Sequence, residues 1–151
     1  MIRCNSVIPE AVTDELIQAR EKSWRKTLPA DFKNFIKANN GGIPDAPVRI
    51  DEKWTVERFL CLVPKISESE YGSLDISAVI TSYDEFMVFS GDTLGYDLIP
   101  FARLSGDSLL CLCYETAVPS VAVWQLQGSK EFDPNYHKCF ETFSDFAAAY
   151  I

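Results

Sequence analysis

The chain carries a single histidine, His137, in the stretch NYHKCF, two residues before Cys139. With Cys111 and Cys113 these side chains supply enough donor atoms for a zinc ion on paper. Cys111 and Cys113, however, stand two apart in LLCLCY, where a strand places both on one face among leucines, and the C-x2–4-C spacing of a zinc knuckle is absent. His137 next to a thiol also raises nucleophilic chemistry with Cys61, Cys111 or Cys139, but no nucleophile-elbow context surrounds any of them. The adjacent carboxylates Asp84 and Glu85 would point about 100° apart on a helix, which suits a solvated surface better than an acid/base pair. There is no G-x-G-x-x-G, phosphate-binding loop or calcium loop. These residues predict no catalytic group, no metal and no cofactor.

Composition narrows the remaining classes. At 151 residues, with 47% hydrophobic and 24% charged residues, the chain fits one domain over residues 1–151 that can bury a sizeable core. The N-terminal MIRCNSVIPEAVTDEL lacks the apolar run of a signal peptide, and no stretch of about 18 apolar residues occurs. A cytoplasmic location away from the membrane is therefore expected. Five cysteines, an odd count in mostly apolar contexts, fit reduced and buried thiols.

The formal charge of −8 is unevenly spread. From Lys65 to Asp97 seven acids face one base, whereas Arg20 to Lys37 holds six bases and two acids. Such a field repels nucleic acid and steers a basic partner toward one side. Trp24, Trp54, Tyr71 and Tyr96, the last flanked by Asp92 and Asp97, read as aromatic material in loops, of the kind that anchors protein interfaces.

The elements that must position these residues follow from periodicity. Pro9 suits the first turn of a helix continued by Val12, Leu16 and Ile17. A second helix opens at Leu28-Pro29 and ends at Asn40-Gly41. A proline-rich loop leads to a strand over Arg58 to Val63, and offsets of three and four predict a third helix over Asp75 to Phe86. Extended runs over Tyr96 to Ala102, Ser108 to Tyr114 and Ser120 to Gln127 predict an antiparallel meander covered on both faces. Thr142 with Asp145 then opens a closing helix with Phe143, Phe146 and Tyr150 on its stripe. The order predicts an α+β fold, an antiparallel sheet flanked by N-terminal, middle and C-terminal helices.

Several of these segments together resemble the SUKH superfamily of cell-wall assembly regulators and bacterial immunity proteins. LPADFKNFIKANNGG is similar to its L-P-x-x-(F/Y)-x-x-F-(L/I)-x-x-x-N-G-G segment, with Leu28, Pro29, Phe32, Phe35, Ile36, Asn40, Gly41 and Gly42 at the matching positions. Pro100, Phe101 and Gly106 in LIPFARLSGD, Trp124 in SVAVWQL, and Phe143 and Phe146 in TFSDFAAAYI match later pieces in the same order. The basic REKSWRKT before Leu28 and the stretch from Gly42 to Phe59 depart from the pattern.

The resemblance implies an α+β domain that neutralises a toxin by binding it, without catalysis. Toxins of this kind include nucleases, whose basic surfaces an acidic inhibitor would complement. The expected rim and anchor are Asp84, Glu85, Asp92, Tyr96 and Asp97, acting in a monomer on a basic protein partner, with no nucleic acid or membrane involved. Two other readings stay open: a regulatory adaptor of the yeast type, and a small thiol hydrolase built on Cys61, Cys111 or Cys139 with His137.

Overall fold

The computed structural model describes residues 2–89 and 95–150. Among these the order is β1 (Cys4–Asn5), α1 (Asp14–Trp24), α2 (Ala30–Asn39), β2 (Ile43–Pro44), β3 (Arg49–Ile50), β4 (Trp54–Phe59), α3 (Ile76–Ser82), β5 (Leu98–Leu104), β6 (Ser108–Cys113), β7 (Ser120–Lys130), β8 (Asp133–Phe140) and α4 (Phe143–Ala148). Strands β3 to β8 form one antiparallel sheet in sequence order, and β1 pairs with β2 in a small second sheet. The fold is α+β.

The first helix starts later than Pro9, because the Thr13 side chain accepts the Leu16 N–H and supplies the cap. The third is shorter than its periodicity, ending at Ser82 before a separate 3-10 turn over Asp84–Phe86. β4 occupies Trp54–Phe59 rather than Arg58–Val63, since Asp51 and Glu52 turn the chain back sharply and start the strand earlier. A strand that periodicity does not announce, β8, edges the sheet; its half-exposed, polar residues and Pro134 hide it.

Both sheet faces are covered. On one, Phe32 of α2 and Phe143 of α4 meet edge to face with centroids 5.2 Å apart, and Phe101 lies 5.6 Å from each. Pro100 pairs opposite Cys111 and Ala102 opposite Leu110, so Phe101 is the extra residue of a β-bulge. A bulge tolerates a proline inside a sheet and re-aims the next side chain, here into the aromatic cluster. On the other face the Trp124 indole N–H donates to the Phe86 carbonyl at 3.0 Å, and its ring packs 5.1 Å from Tyr83. Trp24 and Trp54, which read from the sequence as loop anchors, are core residues at 1% and 8% exposure.

The Asn40-Gly41-Gly42 turn locks α2 to the chain leaving β4. Asn40 is 1% exposed, and its amide copies a strand edge: Oδ1 accepts the Leu62 N–H at 2.8 Å while Nδ2 donates to the Leu62 and Glu10 carbonyls at 3.0 and 3.1 Å. Gly41 has φ +66°, and a Cβ there would stand 2.2 Å from Ile8 Cδ1; at Gly42 it would stand 2.5 Å from Cys4 Cβ. The doubled glycine thus answers to close packing as well as to the helix stop.

Candidate functional site

The acids of residues 65–97 divide sharply. Asp75 is fully buried, and its carboxylate receives both Arg20 nitrogens at 2.6 and 2.9 Å, the Ser77 N–H at 2.8 Å and the Val63 N–H at 2.9 Å. Asp97 is also buried; Oδ2 accepts the Phe89 N–H at 2.9 Å and Oδ1 lies 3.6 Å from Lys26 Nζ. Arg20 of α1 and Lys26 just after it therefore neutralise part of the acidic stretch inside the fold.

Asp84 and Glu85 point outward on the 3-10 turn. Asp84 Oδ1 accepts the Glu85 N–H at 2.8 Å, which fixes the turn. The Glu85 carbonyl in turn accepts the N–H of Phe132, in the tight connection between β7 and β8, at 2.8 Å. Phe132 has φ +56° and is 39% exposed, with exposed Glu131 and Asp133 on either side. One backbone hydrogen bond thus joins two acidic turns around an exposed aromatic ring. Tyr96 is half-buried, its N–H donating to the Trp24 carbonyl at 3.2 Å, and Asp92 lies outside the described residues. Phe132 is not among the residues the sequence singles out; the available signal is a large aromatic between two acids where a turn prefers small residues.

The histidine and thiols are arranged differently. Residues directly opposite in register share a face, so Cys111, Ala122 and Lys138 lie on the Trp124 face while His137, opposite Val123, lies on the other. His137 Nε2 instead sits 3.2 Å from Asp51 Oδ2, and the Cys139 thiol donates to the same oxygen at 3.5 Å. A nucleophile relay needs the imidazole between thiol and carboxylate, but here the carboxylate is central. Burial, reinforced by the Asp51 charge, pushes the Cys139 thiol up to about 12, and burial pushes Cys61 to about 12. All five cysteines are free thiols. Thiols held protonated are poor nucleophiles.

An antiparallel sheet packed on both faces and a glycine-lined helix stop define an α+β protein. The chain matches the SMI1 / KNR4 family (SUKH-1) over residues 11–149 and belongs to that family. No curated protein and no solved structure matches it. No helix among the described residues is long and apolar enough to cross a membrane.

Proposed function

We propose that this chain is a cytoplasmic immunity protein that neutralises a toxin domain, such as a basic nuclease, by binding it as a monomer and without catalysis. The observation that carries the reading is the set of exposed acids Asp84, Glu85, Glu131 and Asp133 on two turns joined by the Phe132 N–H, with exposed Lys130 paired opposite Asp133. An exposed aromatic that becomes desolvated on docking, flanked by charge, gives an anchor plus steering, and inhibition by occlusion requires nothing more. Tyr96 extends the assignment as a flanking contact and Asp97 as the buried support beside it, while the expected role of Asp92 falls outside the described residues.

The test is co-expression with the toxin domain encoded beside the gene, scoring survival and complex formation together. Survival with a stable complex is expected. Toxicity without a complex across several candidate toxins would overturn the reading and favour a regulatory adaptor.

A further inference from the structure

The six-stranded sheet brings its two ends together at one point. Asp51, at the tip of the β3–β4 hairpin, meets His137 and Cys139 of β8, although β3 and β8 are the outermost strands. The hairpin is a tight turn in which Asp51 and Glu52 both take left-handed φ, 53° and 55°, and the Lys53 N–H returns to the Ile50 carbonyl at 3.0 Å. On β8, Val121 pairs opposite Phe140 and Ala122 opposite Lys138, leaving Cys139 as the extra residue of a bulge. That bulge turns its thiol toward the hairpin tip.

The donor atoms of all three side chains lie within 4.8 Å of one another. Tetrahedral zinc, with bonds of about 2.0–2.2 Å to nitrogen and oxygen and about 2.3 Å to sulfur, sets N and O about 3.4 Å apart and S and O about 3.6 Å apart. Two of the three separations match, at 3.2 Å for His137 Nε2 to Asp51 Oδ2 and 3.5 Å for Cys139 Sγ to Asp51 Oδ2. The His137 and Cys139 donor atoms lie within 4.8 Å of each other and would be drawn to about 3.6 Å by a shared tetrahedral ion. We propose that Asp51, His137 and Cys139 form a binding site for a zinc-class divalent ion that staples the hairpin tip to the last strand, leaving the fourth position to water.

One sulfur, one imidazole nitrogen and one carboxylate oxygen suit zinc, whereas calcium and magnesium take oxygen-only shells. Binding replaces the Cys139 thiol proton with the metal, and the proton leaves to solvent. Tyr150, two residues past α4, reinforces the junction, its hydroxyl donating to the Arg49 carbonyl of β3 at 2.6 Å beside the site. An ion held only by the folded chain raises the stability of the sheet closure by mass action. Sequence spacing offered His137 and Cys139 with Cys111 and Cys113; register puts the latter pair on the opposite face, and the missing donor comes from a turn 88 residues before Cys139.

The test uses the full purified chain with Zn2+ alone, followed by calorimetry and thermal unfolding, and with Co2+ as a spectroscopic substitute. One equivalent should bind, raise the unfolding midpoint, and give a thiolate-to-cobalt absorption band. Cys139→Ser should abolish that band, and His137→Gln, at an exposed position that tolerates substitution, should weaken Zn2+ binding by about 100-fold or more, by analogy with the smaller losses seen for outer-shell partners. Cys4→Ser, at a separate half-buried thiol, should leave both signals intact. Absence of saturable binding, or binding unchanged in both Cys139→Ser and His137→Gln, would overturn the proposal.

Discussion

Asp75 and Glu85 belong to the same acidic block, yet one is fully buried under four hydrogen bonds and the other stands in solvent. The difference lies in what reaches them. Asp75 caps α3 and meets Arg20 from α1, so its charge is desolvated, paired and used for folding. Glu85 sits on a short 3-10 turn, meets no basic side chain among the described residues, and uses its backbone carbonyl to hold the neighbouring β7–β8 turn. A charge block in a sequence is therefore not yet a surface; the fold withdraws some members and displays the rest.

The contrast is broken most severely at its buried end. Asp75→Ala strands the Arg20 guanidinium and the Val63 N–H, and loss of one partner of a buried pair costs about 3–5 kcal/mol. Equilibrium urea unfolding should show that loss, and a change under about 1 kcal/mol would refute the assignment of Asp75 to the core. Asn40→Ala comes next, leaving the Leu62 N–H and carbonyl without partners at about 1–3 kcal/mol for each buried group left unpaired. The same unfolding curves measure it.

A milder effect follows from the thiols. Burial, with a contribution from Asp75, pushes Cys61 up to about 12 from its ordinary 9.0, and burial with the Glu115 charge does the same to Cys113. Because the folded state holds these protons more tightly than the unfolded chain, the difference is silent below about pH 9 and erodes stability between about pH 9 and 12. Denaturation midpoints should stay flat with respect to these thiols below pH 9 and decline above it. A midpoint rising from pH 9 to 10.5 would contradict the sign. Smallest of all, Asp84→Asn, which keeps the oxygen that accepts the Glu85 N–H, together with Glu85→Lys should alter stability by no more than about 0.5 kcal/mol, as surface substitutions usually do.

Much of the frame was legible in the sequence. Leu28-Pro29 and Asn40-Gly41 bound α2, and the three runs after Tyr96 became β5, β6 and β7, because period and turn chemistry are local properties. What escaped depended on distant contacts. The start of β4 was hidden by a tight turn built from Asp51 and Glu52 without glycine, and β8 by its polar edge. Trp24 resembled a loop anchor until Ser77, 53 residues on, received its indole N–H. Asp97 looked like a rim acid until Lys26 and the Phe89 N–H claimed it. For the site, Asp84 and Glu85 could be read as exposed, whereas Phe132 beside them, and Asp51 beside His137, required the fold.

The most direct test of recognition through this rim is the association rate with the toxin domain, measured by stopped flow across a range of salt for the natural chain and for the Asp84→Asn, Glu85→Lys double variant. Rim charges act mainly on association and its salt dependence. The account predicts an association rate lowered about tenfold at low salt, with a shallower salt slope and an unchanged unfolding midpoint. An association rate and salt slope identical to those of the natural chain would contradict it.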